Sequence, residues 1–249
     1  MPAPHALILR APGTNCDVET AFAFEKAGAT TEALHLNQLR EQPSLLANFQ
    51  ILVLPGGFSY GDDAGAGKIL AMHLTHFLAD ELRRFRDNEK LIIGICNGFQ
   101  ALLKAGMFMP DDEDGPLMTL AHNTSGRYED RWVNLEVKPG NCPFVTGLEK
   151  LYLPGAHGEG RFVARKEWIL RGLEQTGQVV LKYADEENNP NGSQGNVAGI
   201  CDSTGHVFGL MPHPERHLLP MHHPQWTRHG LKEHGDGFAI FRNAVVWFE

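Results

Sequence analysis

Residues 91–100 read LIIGICNGFQ. A run of strand-type residues meets Gly94, Cys96 and Gly98, and a helix-type run follows. That spacing predicts a nucleophile elbow. The reactive residue sits on a strained strand-to-helix corner, and small residues two before and two after it avoid collision. Cysteine suits such a corner chemically. The helix N-terminus beneath it favours thiolate, the nucleophilic form, and the N–H of Asn97 is free to bind a developing oxyanion. Taken alone, G-x-C-x-G equally suits an inert buried cysteine, so the pattern needs a base.

The segment HVFGLMPHPERH, residues 206–217, offers one. It reads as a strand stopped at Pro212 and followed by His213, Pro214 and Glu215. In an extended chain, residues two apart share a face. The Glu215 carboxylate would then hold one imidazole nitrogen of His213 and leave the other to take the thiol proton. Alone, H-P-E-R also suits a turn with surface ion pairs. A third piece is ILVLPGGFSYGDD, residues 51–63, a strand running into Pro55, Gly56 and Gly57. Consecutive glycines let backbone approach a ligand closely. The N–H of Gly57 or of Phe58 would be the second oxyanion donor. By itself the dipeptide also suits an ordinary glycine turn.

These pieces need elements to position them. Residues 5–10 read as a strand and 17–29 as a helix with Asp17 as N-cap and Gly28 at its C-terminal end. Strands are expected at 30–36, 50–57 and 90–96, with helices over 66–87 and 97–106, the last ended by Gly106. Continuous apolar runs such as ILVL and LIIGI mark parallel strands covered on both faces. The alternation predicts an α/β fold with a mostly parallel sheet and helices on both faces. Its carboxyl edge, where open α/β sheets bind ligands, would carry both Cys96 and His213. After about residue 107 the rhythm changes. The runs WVNLEV, KLYLP, GRFVA, QVVLKYA, VAGICD and HVFGLMP follow with few helical patterns between them, which predicts an antiparallel extension. Residues 235–249 return to a helix, while 110–116 and 185–196 read as surface loops. No repeat or linker interrupts the 249 residues, so a single domain over 1–249 is expected.

Composition narrows the function. Net charge is −8 with no dense basic run, which argues against a nucleic-acid partner. No apolar stretch reaches 18 residues, and the N-terminus lacks the pattern of a signal peptide, so neither a membrane span nor secretion is expected. Cys16, Cys96, Cys142 and Cys201 are scattered, which suits a reducing cytoplasm better than a disulfide scaffold. Cys16 reads as packing near the cleft mouth or as a subunit contact. The histidines at 217, 222, 223, 229 and 234 lack regular ligand spacing, so no metal site is expected there.

The segments GTNCDVET (13–20), LPGGFSYGD (54–62), GICNGFQ (94–100), AHGEGR (156–161), NVAGICD (196–202) and MPHPER (211–216) together resemble class I glutamine amidotransferases. Within that class the similarity is to the family of glutaminase subunits of phosphoribosylformylglycinamidine synthase. The FSYGD, HGEGR and NPNGS segments carry this finer likeness. The resemblance implies a flavodoxin-like core and hydrolysis of glutamine to glutamate and ammonia. It implies Cys96 as nucleophile, His213 as base and Glu215 as its orienter, with Gly57 or Phe58 and Asn97 forming the oxyanion hole. Gln100 would reach the bound glutamine, and the backbone near His157 and Gly158 would grip its amino-acid end. No cofactor is implied in this chain. ATP and Mg are expected on a partner synthetase subunit, with a small third subunit bridging the two. Two other readings keep part of the evidence: a different amidotransferase or Cys-dependent hydrolase, and a non-enzymatic His-rich metal-binding or scaffold protein.

Overall fold

The computed structural model describes residues 3–249. Strand β1 (His5–Arg10) leads through helix α1 (Asp17–Ala27) to β2 (Thr30–His35), then through α2 (Leu36–Glu41) and a 3-10 turn to β3 (Ile51–Leu54). Helices α3 (Lys68–Phe77) and α4 (Ala79–Asp87) precede β4 (Leu91–Ile95), which turns at Cys96 into α5 (Asn97–Lys104). The second half runs β5 (Met118–Ala121), β6 (Glu129–Val137), β7 (Lys150–His157), β8 (Arg161–Ala164), α6 (Glu167–Gln175), β9 (Val179–Tyr183), β10 (Val197–Cys201) and β11 (Val207–Leu210). Helices α7 (Trp226–His229) and α8 (Phe238–Val246) end the chain.

The main sheet has the order β2-β1-β3-β4-β11-β10-β9-β6-β7. Its first five strands are parallel, in the 2-1-3-4-5 order of flavodoxin-like folds with β11 as the fifth. The remaining pairings are antiparallel, as the change of rhythm after residue 107 predicts. β5 and β8 form a separate two-stranded sheet. Every residue of β3, β4 and β11 is buried, which is why those runs carry no polar alternation. On one face α8 packs against α1, with Phe24 and Phe241 meeting edge to face at 5.0 Å.

Register is what builds the site. β11 pairs with β4 from Val207–Ile92 to Leu210–Ile95, and Cys96 N–H donates to Leu210 O at 2.8 Å. The chain after β4 and the chain after β11 therefore leave the sheet side by side.

Several local expectations change. The 66–87 helix is two, broken at Leu78 (φ −127°, ψ 5°), whose side chain is buried. The kink lets Leu70 and Leu74 of α3 and Leu82 and Phe85 of α4 each reach the core. Asp17 is the first helical residue rather than the N-cap, which is Cys16; Asp17 pairs with Arg10 at 2.7 Å and lies at the positive end of the helix dipole. Gly28 caps α1 in the left-handed conformation. The C-cap of α5 is Ala105, one residue before Gly106. The 107-onward region also contains β5 and the amphipathic α6, which buries Ile169 and Leu173.

Candidate active site

Cys96 sits between β4 and α5 at φ 51°, ψ −105°, a region L-residues rarely adopt. The flanking glycines follow from the close approach this corner forces. A Cβ on Gly98 would stand 1.9 Å from Leu54 O, and one on Gly94 would stand 2.7 Å from the Gly98 carbonyl. The sulfur lies under Ala156 O at 3.7 Å, and the residue is 5% exposed. It lines a cleft of about 160 Å³ together with His213, Gly57, Gln100, His157 and Gly158.

His213 and Glu215 are both 2% exposed, and Nδ1–H of the ring donates to Glu215 Oε1 at 2.5 Å. The pair does not lie on an extended segment. Pro214 opens a 3-10 turn over residues 214–216, and the turn rather than strand alternation brings the carboxylate back to the ring. Burial by itself would push the imidazole pKa down. The Glu215 carboxylate and the neighbouring sulfurs of Cys96 and Cys16 together outweigh that largest effect and raise the value well above 6.5. Both thiols stand close, yet neither meets hydrogen-bond geometry at Nε2, which is buried without a partner among the described residues. That nitrogen is open to exchange a proton with a thiol or a bound substrate.

The structure separates the two candidate donors on the glycine turn. Phe58 N–H donates to Gly13 O at 3.0 Å. Gly57 N–H and Asn97 N–H have no acceptor among the described residues. Gly57 has φ +139°, and a Cβ there would meet Asn15 N at 2.7 Å, so the turn admits only glycine. Two free N–H groups thus flank the sulfur, Gly57 on the cleft wall and Asn97 directly after Cys96 in the chain, and Phe58 is not one of them.

Gln100 lines the cleft, but its amide is engaged: Oε1 accepts from Asn97 Nδ2 at 3.0 Å, and Nε2 donates to Glu159 O at 2.6 Å. The His157 ring is 3% exposed with both nitrogens unpartnered among the described residues. Burial, helped by the nearby His213, lowers its pKa to about 4, so it is neutral. Gly158 O accepts from Asn123 N at 2.9 Å.

Of the two readings of Cys16, packing near the cleft and a subunit contact, its burial agrees with the first: the residue is fully buried, and its sulfur accepts from Arg216 Nη2 at 3.2 Å. Gly56 makes room for it: a Cβ there would stand 3.2 Å from Cys16 Sγ and 2.8 Å from His213 Cε1. Cys16, His213 and Glu215 place sulfur, nitrogen and oxygen within 4.8 Å of one another. The guanidinium against the sulfur and the proton shared by Nδ1 and Glu215 oppose a dication there. Arg216 belonged to the HPER motif, but nothing in sequence linked it to Cys16. Among the late histidines, His217, His223, His229 and His234 line one surface pocket, and His223 meets His217 and His229 at ring separations of 5.9 and 5.1 Å, against Trp132 and Tyr152.

Comparison with known proteins agrees with this geometry. The CobB/CobQ-like glutamine amidotransferase domain matches residues 3–248. Phosphoribosylformylglycinamidine synthase subunit PurQ of Dehalococcoides mccartyi is 49% identical over 250 residues, covering 97% of this chain and 96% of that protein. The same subunit of Methanococcus maripaludis is 41% identical over 266 residues, covering 98% and 97%. A chain in the structure of PurLQS from Thermotoga maritima superposes with a TM-score of 0.78 at 31% identity, covering 99% of this chain and all of that one. The chain belongs to the CobB/CobQ-like glutamine amidotransferase family and is a PurQ-like member of it.

Proposed function

We propose that this chain is the glutaminase subunit of phosphoribosylformylglycinamidine synthase in de novo purine biosynthesis. It hydrolyses glutamine to glutamate and ammonia and works in a complex with the synthetase subunit, which uses the ammonia. The reading is carried by one observation: a cysteine on a strained elbow shares a cleft with a buried His–Glu pair, in a chain 49% identical to PurQ over nearly its whole length.

In this reading Cys96, as thiolate, attacks the side-chain carbonyl of glutamine. Gly57 N–H and Asn97 N–H hold the oxyanion; a single such donor contributes about 3 kcal/mol in a comparable site. His213, protonated and steadied by Glu215, gives its Nε2 proton to the departing ammonia, and a γ-glutamyl thioester forms. Water, losing a proton to the same nitrogen, attacks the thioester and releases glutamate. His157 and Gly158 border the place left for the amino-acid end of the substrate. Gln100 acts from behind, through Asn97 and Glu159.

The whole chain serves as one glutaminase domain. No cofactor is assigned to it; ATP and Mg belong with the synthetase subunit, and a small third subunit bridges the two, as the three-part name of the Thermotoga assembly suggests. No described helix is long and apolar enough to cross a membrane. A cytoplasmic setting agrees with four unpaired cysteines.

Cys96→Ala in the complex is expected to abolish synthesis from glutamine and to leave synthesis from added ammonia intact. A glutamine-mimicking electrophile should label Cys96. Loss of both syntheses in a folded variant, or label on Cys16 instead, would overturn the assignment.

A further inference from the structure

The loop that follows Gly57 is held in a shape its own residues do not favour. Tyr60, Asp62 and Ala64 have positive φ, half of the six such non-glycine residues among those described, and Gly61, Gly65 and Gly67 share the sign. Backbone of this kind persists at residues with a Cβ only where the surroundings impose it.

The first residue of α5 imposes it. Asn97 is 2% exposed. Its Oδ1 accepts Ser59 N–H at 3.0 Å, and its Nδ2 donates to Asp62 Oδ1 at 2.9 Å and to Gln100 Oε1 at 3.0 Å. The orientation of the amide follows from its partners, because a backbone N–H only donates and an ionised carboxylate only accepts. A second clasp lies further along: Ala66 N–H donates to Glu159 Oε2 at 3.2 Å, and Lys104 Nζ stands 3.7 Å from that same oxygen. The loop is fastened at residues 59, 62 and 66 by α5 and by the turn after β7.

We infer that the Asn97 carboxamide is a positioning residue for the glutaminase reaction, latching the 58–62 loop so that Gly57 N–H faces the oxyanion above Cys96. The inference rests on the proposed glutaminase function and deepens it. Asn97 then acts twice: its backbone N–H donates to the oxyanion, and its side chain holds the other donor in place. Ser59 N–H is buried, so without its acceptor the loop must move to satisfy it. A group that acts on the transition state alone changes kcat and leaves KM.

The test uses the full chain with its synthetase partner and measures glutamate release against glutamine concentration. Asn97→Ala is expected to lower kcat at least tenfold, up to the roughly 100-fold loss of one oxyanion donor, with KM held within about threefold. Alkylation of Cys96 by iodoacetamide builds no oxyanion, and in the same variant it stays within about twofold of the wild-type rate. Asn97→Asp sets two carboxylates face to face and is expected to lose about 100-fold in kcat. Adding Asp62→Asn restores a donor–acceptor pair with the roles exchanged, and is expected to recover at least about tenfold of that loss. Should Asn97→Ala fail to fold, the exchanged pair decides alone. A double variant no better than Asn97→Asp, a loss confined to KM, or alkylation that falls in step with kcat overturns the latch. A wild-type complex that releases no glutamate overturns the glutaminase reading itself, a separate result.

Discussion

Acidification will destabilise this protein through His157, and the amount follows from where the ring sits. It is 3% exposed, both nitrogens lack partners among the described residues, and burial with the help of His213 lowers its pKa from 6.5 to about 4. Between those values the unfolded chain binds a proton that the folded chain refuses. Stability from this residue is therefore complete above 6.5 and is lost as pH falls toward the folded value. At about 1.4 kcal/mol per pH unit, the drop from 6.5 to about 4 sets a ceiling near 3.4 kcal/mol. Roughly 2 kcal/mol of it disappears between pH 7 and pH 5. The assay is urea unfolding across that range for the wild type and for His157→Gln, which keeps a polar side chain but cannot titrate. The variant's unfolding free energy should fall by about 2 kcal/mol less than the parent's. Parallel curves would show that the ring is not buried neutral and would refute the reasoning.

Two further outcomes rest on the same geometry. Glu215→Gln removes the anion that holds Nδ1–H of His213 and is expected to cut kcat for glutamine hydrolysis about 1,000-fold, with little change in KM; a loss below tenfold in steady-state kinetics would separate Glu215 from the base. Gly98→Ala drives a Cβ to within 1.9 Å of Leu54 O. It should destabilise by more than about 4 kcal/mol in urea unfolding, and a variant as stable as its parent would mean that α5 and β3 are not so close.

What the sequence disclosed was mostly local. The G-x-C-x-G spacing announces the corner at Cys96 because the steric demand lies within five residues. The apolar run of β11 announces a buried strand because both its faces are covered. The break at Leu78 was hidden, since apolar periodicity runs on through a kink that leaves the i→i−4 bonds Leu78 N–Leu74 O and Leu82 N–Leu78 O intact. The choice between Gly57 and Phe58 depended on the carbonyl of Gly13, more than forty residues earlier. The company that Cys16 keeps depends on Arg216, two hundred residues away. Neither contact leaves a trace in local composition. Helix α6 escaped notice because it is short and carries Gly172 within it. His213 and Glu215 were paired correctly in space by an argument from extended backbone, whereas a proline-led turn does the joining.

Strand β11 occupies the middle of the main sheet, with β4 on one side and β10 on the other. It is the last of the described strands in chain order, more than a hundred residues after β4, yet it is the seam that joins the parallel half to the antiparallel half. A chain that stops short of Val207 carries Cys96 but has neither Leu210 O, which accepts from its N–H, nor the imidazole that follows. The strand both closes the hydrophobic interior and carries the chain on to the base, so a chain cut before residue 207 has no means of releasing ammonia.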